Sequence, residues 1–234
     1  MTDKTVVIHQ PDFLPYLGFF HRFLESDIYV VLDHVQFVKG TSQAWTHRDK
    51  IRTKKGEEWI SLSVKKCGME TPINQVELSE NNDWKNKCLN LLKENYRKSK
   101  YFNDIYPYLE ELFQLECKKM VDFNMASIRL LMNLLDIEIS VVYSSTLDPV
   151  GSKNEMLVDI IKKIEANRYL SGVGARTYME VGLYNEAGIE VSWQEFHHPV
   201  YPQMFEGFIP ALSSVDILFN CGIEKSRHLL RNSA

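Results

Sequence analysis

The chain has 234 residues, with 27 Lys and Arg against 31 Asp and Glu, so its formal net charge is −4 with histidine neutral. That mildly acidic balance argues against a nucleic-acid polymer or an anionic membrane as the main partner, because neutralising phosphates needs a positive surplus. An apolar fraction of 44% with 12% aromatic residues excludes disorder and low complexity.

At roughly 150 residues per domain, the length predicts one α/β domain over 1–234, with the segment 82–136 as a helical insertion. Cys67, Cys88, Cys117 and Cys221 are scattered and form no CxxC pair, so they read as reduced thiols. The start of the chain has no basic leader followed by an apolar stretch, and no apolar run approaches the roughly 18 residues of a spanning helix. The expectation is a cytoplasmic protein without membrane insertion.

Val6-Val7-Ile8 is a β-branched run that ends at His9-Gln10-Pro11-Asp12-Phe13-Leu14-Pro15. It predicts a buried strand entering a proline-stiffened loop. Tyr16 to Glu25 has apolar residues at helical spacing, and Ile28-Tyr29-Val30-Val31-Leu32 is a second apolar strand. Strand, helix and strand within about 30 residues predict a βαβ crossover in a covered parallel sheet. In such sheets ligands bind beyond the carboxyl ends of the strands, where His9 and Asp33 fall. A hairpin follows, with Arg48–Thr53 and Trp59–Val64 flanking a turn at Lys54-Lys55-Gly56-Glu57. Three helices are expected over 82–136. Further expectations are a strand at Ile137–Tyr143, a helix opened by a capping box at Ser152 and Glu155, and a last strand at Ile189–Trp193. A final helix is expected to be capped by serine near Ser213 and ended by Gly222. The predicted fold is therefore α/β: a parallel-type sheet opening with a βαβ unit, an antiparallel hairpin addition and a helical insertion.

Four constellations offer chemistry. The first is His9-Gln10, with Gly18 and His21 following: imidazoles and helix amides at a strand end can stabilise developing charge, or else serve as satisfied polar groups. The second is Asp33-His34-Val35-Gln36, where Asp33 reads as a general base or a turn former and Gln36 as an amide for a polar substrate. Downstream, Trp45, His47 and Arg48 set an aromatic face beside cationic groups that suit an anionic or sugar ligand. The third is Ser171-Gly172-Val173-Gly174-Ala175-Arg176, where two glycines allow close backbone approach to an oxyanion and Arg176 can clamp a phosphate or carboxylate. The fourth is His198-Pro199-Val200-Tyr201-Pro202-Gln203, with an imidazole, a phenol and an amide on a stiffened loop. No metal site is expected, because the adjacent His197 and His198 point in different directions on extended backbone.

The strings Ile8 to Phe20, Leu32 to Phe37, Leu170 to Ala175, and His198 to Gln203 with Leu212-Ser213-Ser214-Val215-Asp216 resemble the WbqC-like protein family, in order and over nearly the whole chain. Thr46-His47-Arg48-Asp49 departs from the family's pattern at His47, while Arg48 matches. The resemblance implies an association with O-antigen and other surface-polysaccharide genes. From it follows the expectation of a transferase placing an acyl or aminoacyl group on the amine of a nucleotide-linked amino sugar.

On that reading His9, Asp33 or His198 serves as base. Gln10, Gln36, Trp45, Arg48, Ser171, Gly172, Gly174, Arg176, Tyr201 and Gln203 bind substrate, with Arg48 and Arg176 on the pyrophosphate. The acyl donor is open between an acyl-carrier protein, a CoA thioester and an activated amino acid. A carrier protein could dock on the basic stretch Lys93–Lys100, which otherwise reads as a solvated helix face. A glycosyltransferase, an ATP-dependent amide ligase and a non-catalytic carrier-binding protein are the alternatives.

Overall fold

The computed structural model describes residues 3–40, 44–81 and 83–233. Met1, Thr2 and Ala234 at the ends of the expected domain, and Asn82 at the start of the expected helical segment, lie outside them.

Five strands form one sheet: β1 (Thr5–His9), β2 (Ile28–Val31), β5 (Ser140–Tyr143), β6 (Arg168–Ser171) and β7 (Glu190–Trp193). Their spatial order is β5-β2-β1-β6-β7, and every neighbouring pair is parallel. The chain therefore builds outward from β1 in one direction and then returns to build outward in the other. The reversal falls between β1 and β6, and in sheets of this kind the crevice beyond the carboxyl ends of those two strands is where ligands bind. The fold is a doubly wound α/β sheet, as the two-faced apolar strands predict.

Strand alternation divides the core. Val6, Ile8 and Val30 face Ile160, Ile161 and Tyr184 of α5 (Lys153–Lys163) and α6 (Val181–Glu186). Val7, Tyr29 and Val31 face a larger apolar cluster that includes Phe19, Phe20 and Phe23 of α1 (Leu17–Leu24). Seven of the eight α1 residues are buried, which fits a helix that is apolar almost all round.

The expected hairpin forms from β3 (Arg48–Thr53) and β4 (Gly56–Ser61), with Lys50 opposite Trp59. Lys54 and Lys55 make its two-residue turn, and Gly56 follows at φ 129°. Three helices follow, α2 (Asp83–Tyr96), α3 (Phe102–Gln114) and α4 (Met120–Leu135). They share one apolar cluster with α1, the hairpin and the last helix, α7 (Ser214–Arg231). No helix among the described residues is long and apolar enough to cross a membrane.

Three local expectations need correction. The strand expected from Ile137 starts at Ser140, because Ile137 closes the preceding helix: its N–H donates to the Met132 carbonyl at 3.0 Å while Asp136 turns left-handed at φ 56°. Ser152 does occupy the position before α5, but its side chain accepts no capping hydrogen bond. At φ 76° and ψ 174° Gly222 leaves the helical range and ends the first segment of α7 as expected, but a second helical segment, which was not expected, continues beyond this kink to Arg231. The Ser213 cap is present, with its side chain accepting from the Val215 N–H at 3.4 Å.

Candidate active site

β1 ends at His9, and the loop that follows is held by buried polar bonds. Asn124 of α4 donates to the Pro11 carbonyl at 2.7 Å, and the Phe13 N–H donates to the Trp45 carbonyl at 3.2 Å. Leu14, left-handed at φ 45°, donates its N–H to Ser127 Oγ at 3.4 Å. This pinned loop turns Asp12 inward, where it is buried and its carboxylate stands 3.6 Å from His9 Nδ1. Arg22, on the last turn of α1, is buried beneath the same loop.

His9 Nδ1 faces the Gln10 carbonyl at 2.9 Å. A carbonyl only accepts, so Nδ1 carries the proton and Nε2 keeps the lone pair. Burial holds the imidazole neutral, lowering its pKa to about 3 with help from the Arg22 charge and against the Gln10 bond. The His9 side chain as a whole is 34% open to solvent. Burial pushes Asp12 up to about 7, against the pull of Arg22. Asp49 of β3 is also raised well above the ordinary carboxylate value by burial, against the Lys50 N–H bond and with added repulsion from Asp12. The Tyr16 phenol is raised by burial and feels Arg22, Asp12 and Asp49. These residues form one electrostatic group: a neutral histidine, two buried carboxyls, a phenol and a guanidinium.

The second wall of the crevice comes from β6. Ser171 is buried at its end, and Gly172 faces Arg22. Gly174 has open space where a side chain would stand, and Arg176 is exposed with its guanidinium 5.2 Å from the Trp193 ring centre. His198 is half-buried among Phe196, Tyr201 and Phe208, its Nδ1 donating to the Pro199 carbonyl at 3.0 Å. Burial lowers its pKa, opposed by that bond. Phe196 also packs on Tyr16 and His21, so it joins the His198 loop to the β1 loop.

Other residues singled out from the sequence are engaged elsewhere. Asp33 accepts from Ser144 Oγ at 3.0 Å, from the Ser145 N–H and Oγ at 2.9 and 2.6 Å, and from Asn74 at 3.3 Å. It ties the end of β2 to the turn after β5. His34 joins that network through Ser144 at 2.6 Å. Gln36 is exposed and donates to the Met69 carbonyl at 2.6 Å. Trp45 and Arg48 gather on the Trp59 ring of the hairpin, at centroid distances of 5.4 and 4.0 Å. His47 is buried against Phe37, and burial lowers its pKa to about 4, with the charges of Lys39 and Arg48 adding to the effect.

Tyr201 and Gln203 both donate to Asp216, at 2.8 and 3.1 Å, where Tyr96 also donates at 2.7 Å. Gln203 further binds Ile209 through both its amide groups. The fourth motif and the Leu212–Asp216 string are thus two halves of one buried clamp. Gln10 is half-buried beside His9.

Arg22, Asp12, Tyr16 and Asp49 are site residues that the motif reading missed. A signal existed for Arg22: it stands among Phe19, Phe20 and Phe23 in a helix whose residues, His21 apart, are otherwise apolar or glycine. A depression of about 390 Å³ between α5 and α6, lined in part by Glu155, Asp159, Lys162 and Glu186, brings no such convergence of buried groups.

The fold and the site together define a doubly wound α/β protein with ionisable groups at the switch point of its sheet. The chain belongs to the WbqC-like protein family, whose model matches residues 10–228. It is 27% identical over 228 residues to the uncharacterized protein Rv1507c of Mycobacterium tuberculosis, an alignment covering 97% of each chain. No solved structure matches it.

Proposed function

We propose that the protein is a transferase of surface-polysaccharide (O-antigen) biosynthesis, which places an acyl or aminoacyl group on the amine of a nucleotide-linked amino sugar. The observation that carries this reading is His9. A neutral imidazole with a free Nε2 lone pair stands at the switch point beside a buried guanidinium and a carboxyl group. Amide formation uses a neutral base with a free lone pair beside an anion-binding group. The neutral amine attacks the carbonyl carbon of a thioester donor, and Nε2, made more basic when an anionic substrate offsets the Arg22 charge, takes the proton that the nitrogen sheds as the C–N bond forms. The C–N bond forms as the C–S bond breaks, and the sulfur leaves as a thiolate that is protonated on release. The substrate class comes from the association with polysaccharide genes that the family resemblance implies, and the fold by itself does not supply it.

The test is mass spectrometry of nucleotide-linked amino sugars incubated with the protein and with acyl-carrier, CoA or aminoacyl donors. The expected product is the intact nucleotide sugar gaining one acyl mass, at a rate at least about tenfold lower in His9→Ala. Free nucleotide without an acylated sugar would identify a glycosyltransferase, and AMP or ADP an ATP-dependent ligase. Binding without turnover would identify a carrier-binding protein. Each of those results overturns the acyl-transfer reading.

A further inference from the structure

Arg22 is 4% exposed, its Nε is buried without a hydrogen-bond partner, and its guanidinium makes no ion pair with a described carboxylate. Its ring contact is with Phe19, at 5.7 Å from the centroid. A charge taken out of water is normally paired or bonded, because its lost hydration must be replaced. Asp12 and Asp49 do not supply that pairing, since burial favours the uncharged form of both.

An independent observation lies across the crevice. A β-carbon built on Gly172 would meet a single heavy atom within 4 Å, Arg22 Nη1 at 3.8 Å. The backbone there, φ −70° and ψ 146°, suits any residue, so conformational freedom does not account for the glycine. What its missing side chain leaves is open space against the guanidinium, and Gly172 itself is partly exposed.

We propose that Arg22 and the empty side-chain position of Gly172 form an oxyanion-binding site that takes a phosphate group of the substrate. This deepens the transferase reading and rests on the crevice being its substrate site. The planar guanidinium offers parallel N–H donors matched to two phosphate oxygens. The bound phosphate supplies the missing counter-charge. It also offsets the Arg22 charge that adds to burial in holding the His9 imidazole neutral, so a ligand seated here makes His9 a better proton acceptor.

Isothermal titration with inorganic phosphate, pyrophosphate and UDP, without any acyl donor, tests the site in the wild type, Arg22→Met, Arg22→Lys and Gly172→Leu. Saturable binding of a phosphate probe to the wild type is expected, about tenfold or more weaker in Arg22→Met and Gly172→Leu. Arg22→Lys is expected to fall between, having the charge without the fork. Binding of inorganic phosphate and pyrophosphate comparable to UDP marks a general phosphate site, whereas UDP alone marks a nucleotide site; both support the proposal. Gly172→Leu leaves Arg22 in place and the backbone unstrained, so it decides the matter if Arg22→Met fails to fold. No saturable binding to the wild type, or equal binding by all folded proteins, overturns the proposal. Because no turnover is read, loss of binding and loss of transfer are separate outcomes: a wild type that binds diphosphate but transfers nothing defeats only the transferase reading.

Discussion

Asn124 donates from one side-chain amide to two backbone carbonyls, Pro11 at 2.7 Å and Thr46 at 2.6 Å, and it is wholly buried. These bonds fasten α4 to the loop carrying Asp12 and to the entry of the hairpin carrying Asp49. The helical segment therefore shapes the candidate site.

Asn124→Leu keeps the volume but leaves both carbonyls unsatisfied in the core. A loss of about 2–4 kcal/mol is expected, read as a lower urea midpoint with an unchanged slope. An unchanged midpoint would mean that the loop is held by its apolar contacts alone.

Gly222→Ala probes the kink in α7. The residue sits at φ 76°, and a β-carbon there would lie 2.7 Å from the Tyr101 ring. Strain and collision add, so a destabilisation of at least about 2 kcal/mol is expected in thermal or urea unfolding. A near-neutral result would show that Tyr101 moves aside.

The sheet was legible because its strands are short apolar runs, and the βαβ opening because β1, α1 and β2 are contiguous. Strand order was not: the pairing of β1 with β6 joins residues more than 160 apart, and no local pattern encodes it. Of the candidate site, His9 and Gly172 were legible as residues that follow the apolar runs of β1 and β6. Asp12 and Asp49 were hidden, since charged residues read as solvated until a fold buries them, and Arg22 was marked only by its apolar neighbours in α1. Tyr201 and Asp216 show the converse. Tyr201 stood out as a phenol and Asp216 only as the end of the Leu212–Asp216 string, and the structure shows that they bond to each other.

Asp33→Asn separates chemistry from architecture at the end of β2. The carboxylate accepts from three donors on Ser144 and Ser145 and one on Asn74, and an amide cannot accept them all. A loss of about 1–3 kcal/mol in stability is expected. A variant with wild-type stability and abolished transfer would instead make Asp33 a catalytic base.

Asp12 and His9 are expected to push stability in opposite directions with pH. The native Asp12 value of about 7 stands above the ordinary 3.8, so between these values the native state holds a proton that the unfolded chain has released. Its contribution is greatest below about pH 4 and is lost as pH rises to about 7, on the order of 4 kcal/mol at most. His9 runs the other way. Its native value of about 3 lies below the ordinary 6.5, so its contribution is complete above about pH 6.5 and is lost as pH falls toward 3. In the wild type the two offset each other between about pH 4 and 6.5. Asp12→Asn removes the first and leaves the second, so its urea midpoint is expected to rise from about pH 5 to about pH 8 more steeply than that of the wild type. His9→Gln removes the second, and its midpoint is expected to fall over the same interval relative to the wild type. If both variants run parallel to the wild type, neither group is held in its uncharged form by the fold, and the neutral base assigned to His9 is lost with it.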